Sequence, residues 1–156
     1  MTSTAPAKEY LKKKLMSKNE IGFFQKLLTG LKGLHVFPQV SMNAVLDVKF
    51  QKSEKDRYHY WAKYIDFVVC APDTFDIIAI IEYDEPYHDK PEQKLKDAQR
   101  DDMLKAAGYL VLRYKQAEQI DPKRLHKDFK QIYMRYEILR GIDLNEIAEK
   151  LHDMPD

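Results

Sequence analysis

Cysteine is almost absent from this 156-residue chain: Cys70 stands alone, which excludes a disulfide framework and any cysteine-based zinc site. Set in an apolar run, it reads as a small buried residue rather than a nucleophile. Its five glycines form no Gly-rich phosphate loop, and neither a Ser or Cys nucleophile motif nor paired-His zinc spacing occurs. No stretch reaches the length of a membrane span and no apolar run of signal-peptide length opens the chain, so it reads as soluble and cytoplasmic, with no membrane partner. Repeats and low-complexity tracts are missing too. Charge of one sign is equally scarce, because 26 Lys and Arg against 25 Asp and Glu leave a net +1. The whole-chain balance therefore argues neither for nor against a polyanionic partner.

What charge there is sits in blocks. Residues 1–18 carry Lys8, Lys12, Lys13, Lys14 and Lys18 against Glu9 alone. Residues 82–102 hold eight acids against four bases, and residues 123–140 are basic again. An acidic centre between basic flanks suits a metal-dependent site whose polyanionic substrate is held by the flanks. Taken singly, each block also reads as an ordinary solvated face. At 44% hydrophobic, the chain can bury one domain core.

The stretch YIDFVVCAPDTFDIIAIIEYDEPYH, residues 64–88, organises the rest. Two β-branched apolar runs flank Ala71-Pro72-Asp73-Thr74, a pattern that predicts an antiparallel hairpin. Into this hairpin the sequence sets three carboxylates, Asp66, Glu82 and Asp84. Strand alternation puts Glu82 and Asp84 on one face and Tyr83 on the other. Pairing residue 70 with 78 brings Asp66 opposite Glu82, with Cβ atoms about 5 Å apart. Carboxylates sharing a face of central strands repel one another and are costly to desolvate unless a cation or shared protons compensate. A divalent metal is the economical explanation; the competing reading is that the acids mark solvent-exposed strand ends.

Around the hairpin, Asn19 reads as the N-cap of a helix from Glu20 to about Leu31, with Phe23, Phe24, Leu27, Leu28 and Leu31 facing a sheet. Glu20 suits the first turn of that helix and can be aimed at the carboxylates. Residues 35–42 (HVFPQVSM) read as the first strand, with Pro38 favouring an edge or bulge. Residues 43–61 are the least legible; the polar run from Gln51 to Arg57 reads as a loop, followed by Tyr58-His59-Tyr60-Trp61, where aromatics beside Arg57 and Lys63 can stack on bases or pair with phosphates, or belong to the core or anchor the loop. A turn carrying His88 follows the hairpin. Then comes a helix from Glu92 to Ala107, capped by Gly108, with Asp97, Arg100, Asp101 and Leu104 on one face. Tyr109 to Tyr114 is a fourth strand. Asp121-Pro122 opens a helix reaching Arg140, Gly141 stops it, and Asp143 caps a last helix to about His152.

Helix, three strands, helix, strand, with Asp66 on the second strand and Glu82-Tyr83-Asp84 ending the third, resembles the PD-(D/E)XK superfamily. More closely, IDFVVCAPDT, AIIEYDEPYH and KDAQRDDMLKAAGYLVLRY look like a family of uncharacterised bacterial domains related to the very-short-patch repair endonucleases, over about Asn19 to Tyr114. The resemblance implies an α/β fold with a restriction-endonuclease-like core, αβββαβ, around a central mixed sheet flanked by helices. The chain then divides into a basic N-terminal arm (1–18), that core (19–114) and a C-terminal helical extension (115–156) packed on the core or on a partner, where a homodimer can form.

The same resemblance implies a set of roles. Asp66 and Glu82 become ligands of Mg²⁺ or Mn²⁺, the Tyr83 backbone carbonyl a third, and Glu20 a further candidate. The catalytic set is Asp66, Glu82, Asp84, His88 and Arg100. Asp84 stands where the superfamily usually has its lysine, so His88 as general base or phosphate contact, or a cation from Arg100 or Lys63, would supply the missing function. Lys63, Arg57, Lys12, Lys13 and Lys14 are the candidate nucleic-acid contacts. The expected activity is metal-dependent hydrolysis of phosphodiester bonds in DNA, with RNA open. The alternative is a catalytically inactive module of the same fold that binds nucleic acid or a protein partner.

Overall fold

The computed structural model describes residues 10–47, 63–84, 91–115 and 120–152. His88, Arg57 and the aromatic cluster at 58–61 lie outside the described residues, as does the arm before residue 10. The two apolar runs of residues 64–84 pair as β2 (Tyr64–Cys70) and β3 (Ile77–Asp84), antiparallel, with Phe67 opposite Ile81 and Val69 opposite Ala79. Continued by one residue, this register sets Asp66 opposite Glu82, as the sequence predicts. Near the turn it does not hold: a bulge between Val69 and Cys70 pairs Cys70 with Ile77 rather than with residue 78. The extra residue, Ile78, lies in β3 between the partners of Cys70 and Val69, and in the turn beyond it the Ala71 N–H donates to the Asp76 carbonyl and Phe75 adopts a positive φ of 61°.

Flanking strands complete a four-stranded mixed open sheet in the order β1-β2-β3-β4, so the chain is α/β. β1 (His35–Ser41) lies antiparallel to β2 and is an edge strand, where Pro38 removes no ladder bond that another strand needs. β4 (Leu110–Lys115) runs parallel to β3, an arrangement no hairpin can make. The crossover is α3 (Pro91–Ala106), ended by Gly108 at φ 89°. The remaining helices are α1 (Lys18–Gly30), the short α2 (Met42–Val45), α4 (Pro122–Leu139) and α5 (Leu144–His152).

α1 begins earlier than expected. Ser17, not Asn19, is the N-cap: its hydroxyl accepts from the Glu20 N–H at 3.2 Å while the Glu20 carboxylate accepts from the Ser17 N–H at 2.6 Å. A Ser-x-x-Glu box satisfies two orphan amides at once, whereas capping at Asn19 would forgo that reciprocal pair.

Each face of the sheet has its own cover. On one, Phe23, Leu27 and Leu31 of α1 and Phe129 and Ile132 of α4 meet Phe67, Val69, Ile81 and Tyr114. The C-terminal helix α4 is therefore packed on the core. On the other face Met42 and Val45 of α2 and Leu104 of α3 meet Ile65, Val68, Cys70 and Ile80. Fully burying each such large side chain contributes about 1.5–3 kcal/mol. Along α3 only the Leu104 end is anchored this way; one to two turns earlier Asp97, Arg100 and Asp101 face the same strands. Among the described residues no helix is long and apolar enough to cross a membrane.

Gly30 is where α1 and α4 come closest, since a Cβ there would be driven into the Phe129 ring. Phe129 is 92% buried and cannot swing aside without opening the core. Gly30→Ala is expected to lower unfolding free energy by about 1–3 kcal/mol in a denaturant titration, despite alanine's better helix propensity.

Candidate functional site

The sheet register assembles the site. β1 pairs Pro38 with Phe67 and Val40 with Ile65, which sets Gln39 beside Asp66, and β3 pairs Glu82 with Arg113 of β4. A polar row of Gln39, Asp66, Glu82 and Arg113 thus crosses all four strands beside the apolar rows that hold the sheet together.

Glu82 is the one charged residue in the buried core of the described residues, at 2% exposure. Its Oε2 lies 3.4 Å from the Arg100 guanidinium, while Oε1 is buried without a hydrogen-bond donor. Arg100 Nε is likewise buried without an acceptor. Asp66 sits within hydrogen-bonding reach of Glu82, and its Oδ2 accepts from the Tyr83 N–H at 2.7 Å. Burial pushes the Glu82 carboxyl up to about 8; Arg100 pulls it back, and the neighbouring Asp66 pushes it higher. Burial also raises Asp66, against the Tyr83 amide that stabilises its charge. Two carboxylates this close and this dry hold together by sharing a proton or a cation.

The third expected carboxylate has a different neighbourhood. Asp84 forms an ion pair with Arg113, whose Nε and Nη2 also bind both oxygens of Asp101 on α3, at 3.2 and 2.7 Å. Burial alone would weaken the guanidinium's charge, but the Asp101 and Asp84 carboxylates more than offset that and hold the proton on. Asp84 is therefore ion-paired within the fold, and the Asp101–Arg113–Asp84 bridge ties α3 to the ends of β3 and β4. Arg100 is committed as well, to Glu82 and to Asp97 at 3.7 Å.

These groups line a pocket of about 790 Å³ with Asp66, Glu82, Tyr83 and Asp84 on the sheet side and Asp97 and Arg100 on the α3 side. Glu20 enters from α1, its two oxygens taking the Ser17 N–H and, at 3.0 Å, the Gln39 amide. Gln39 reaches it from a backbone φ of 54°, a conformation that non-glycine residues seldom adopt. The lining is completed by the exposed Lys13 and Lys14 of the segment before α1 and by Lys18, the first residue of that helix. Lys12 is exposed and Lys63 only half-buried, and neither lines the pocket.

Of the residues expected from the sequence, the fold brings together Asp66, Glu82, Tyr83, Asp84, Arg100, Glu20, Lys13 and Lys14. Arg113 and Gln39 went unrecognised. Arg113 carried the signal that exposed the carboxylates, a charge inside the apolar run YLVLRY; Gln39 carried none, because its role depends on a backbone twist after Pro38. Among the described residues no group of three or more His, Cys, Asp or Glu side chains is disposed to hold a metal ion. The donors on offer are the Asp66–Glu82 pair with its unsatisfied oxygen, and the Tyr83 carbonyl, which lies on the same edge of β3 as the amide bound to Asp66.

A protein family described as a protein of unknown function (DUF2726) matches residues 12–132, a span that takes in the lysines before α1, every strand, α3 and most of α4. No curated protein and no solved structure matches the chain.

The raised Glu82 carboxyl makes stability fall with pH. Below about 4.5 the group is protonated in folded and unfolded chains alike; between there and about 8 only the unfolded chain gains by releasing the proton. Denaturant midpoints are expected to decline across that window in the wild type and to flatten in Glu82→Gln, with chelator present throughout.

Proposed function

The chain belongs to the DUF2726 family, and we propose that it is a metal-dependent nuclease hydrolysing phosphodiester bonds, of DNA in the first instance, with Mg²⁺ or Mn²⁺ held by Asp66 and Glu82. The observation that carries this reading is the buried Asp66–Glu82 pair, with one oxygen lacking any donor, on the floor of an open pocket. In this reading the sheet with α1 and α3 is the core of a restriction-endonuclease-like fold.

The donor set fits a hard divalent ion, which is commonly bound through one or two carboxylates and completes its shell with carbonyls, waters and substrate oxygens. Asp66, Glu82 and the Tyr83 carbonyl would hold it. When bound, the ion supplies Lewis-acid polarisation of the phosphodiester and makes a nearby water more acidic. The chain does the rest. Glu82 would hold the ion in its ionised form, and Arg100 keeps its second oxygen oriented. The Tyr83 amide fixes the Asp66 carboxylate. Glu20, held by Ser17 and Gln39, stands at the pocket's edge, where it can accept a proton from water.

A second reading has its own observation. Both arginines near the carboxylates are already ion-paired inside the fold, and Asp84 occupies the place where the PD-(D/E)XK pattern has a lysine. A network whose arginines are already engaged in this way also suits an inactive module that binds nucleic acid or a protein.

A calorimetric Mn²⁺ titration separates the two. The nuclease reading expects saturable binding in the wild type that is lost in Asp66→Asn, and Mg²⁺-dependent DNA cleavage reduced about a hundredfold or more in Asp66→Asn and Glu82→Gln, as loss of several kcal/mol of charge stabilisation requires. Undiminished cleavage in both variants would sink it.

A further inference from the structure

A phosphodiester entering this pocket meets a surplus of negative charge. Asp66, Glu82, Asp84, Asp97 and Glu20 all line it, and the arginine among them, Arg100, already serves Glu82 and Asp97. Arg113 does not line the pocket and is spent on Asp84 and Asp101. The remaining cations of the lining are Lys13, Lys14 and Lys18. All three are exposed, and among the described residues none has an ion-pair partner.

Their placement is fixed from behind. Met16 packs on the core beneath α1, and Ser17 is locked by the reciprocal bonds with Glu20. That anchor brings the chain just before it, with Lys13 and Lys14, into the lining of the pocket that also holds the carboxylates. Lys18 is the first residue of α1, where the helix dipole disfavours a cation. A residue that works against its own helix is retained more readily where it serves a ligand than where it serves the fold. Two buried polar atoms without partners, Glu82 Oε1 and Arg100 Nε, belong to side chains that line the same pocket, an unmet polarity that an occupant can complete.

We propose that the pocket is bipartite, its carboxylate floor for a divalent cation and its lysine wall of Lys13, Lys14 and Lys18 for the substrate phosphate, so that the phosphate-directed charge of this protein comes from the segment preceding α1 and the first residue of that helix, and not from β3 or α3. This rests on the nuclease reading for its substrate class, but the lysine wall is tested separately. Ammonium groups on long stems suit the task, since each presents three donors and can follow a phosphate as it enters.

The test is binding of a short fluorescein-labelled single-stranded oligodeoxynucleotide to the full chain at low salt, with Ca²⁺ replacing Mg²⁺. Lys13→Ala/Lys14→Ala is expected to weaken binding about tenfold or more and to reduce the slope of log affinity against log salt by roughly 0.7 for each lysine removed. Lys18→Ala should act in the same direction, and Lys26→Ala, an exposed lysine of α1 outside the pocket, should leave both quantities unchanged. Mn²⁺ affinity of the double variant should match the wild type, which shows the fold and the carboxylate floor intact. Binding by the double variant within twofold of the wild type, an equal loss in Lys26→Ala, or no oligonucleotide binding by the wild type overturns the proposal. Loss of Mn²⁺ binding in the wild type itself would instead strike the metal site and leave the lysine result to be judged on its own slope.

Discussion

Two carboxylates held side by side on the paired central strands of a sheet, Glu82 buried and Asp66 half-buried, set the terms for everything around them. Asp66 and Glu82 cannot both ionise in that position without compensation, and each neighbouring element supplies some of it. α3 brings Arg100 to one oxygen of Glu82, and β3 turns its own Tyr83 amide onto Asp66. A fold that wanted only stability would place leucine or valine in both positions, as it does at Val68 and Ile80 two residues away along the same strands. Retaining the pair against its desolvation cost is what makes the site a functional candidate.

The two kinds of cation in the molecule are divided by that constraint. Arg100 and Arg113 stand half-buried among the acids, where a planar fork can engage two carboxylates at once, as Arg113 does with Asp84 and Asp101. Lysines sit outside, at the mouth of the pocket, with their charge available to solvent. The inner charges therefore hold strands and helix in place, and the outer ones face whatever approaches. Asp84 illustrates the division. It shares its face of β3 with Glu82, yet Arg113 draws it into the framework that joins α3 to β4.

The sequence was most readable where periodicity and chemistry pointed the same way. The hairpin, its carboxylates and the i, i+3, i+4 face of α3 all followed from alternation and helical spacing, and the Asp121-Pro122 start of α4 from capping rules. Misreadings were local. Asn19 read as the cap because an Asn beside the apolar repeat fits that role, whereas the reciprocal bond of Ser17 with Glu20 shows only in the fold, and a single-residue bulge near Cys70 leaves no mark on an apolar run. The role of Arg113 depends on β4 lying parallel beside β3, a tertiary fact that no residue of YLVLRY announces. Likewise the approach of the pre-helical lysines to the acids joins residues some seventy positions apart in the chain.

One contact described above has a different kind of consequence. Where β2 and β3 pass the last of their paired residues, the bond to the Tyr83 amide comes from a side chain, Asp66, in place of a backbone carbonyl. The exchange rate and nitrogen chemical shift of that single amide are thus coupled to the ionisation and occupancy of the carboxylate it faces. The protein carries within its own backbone a spectroscopic gauge of its candidate site, readable without a substrate.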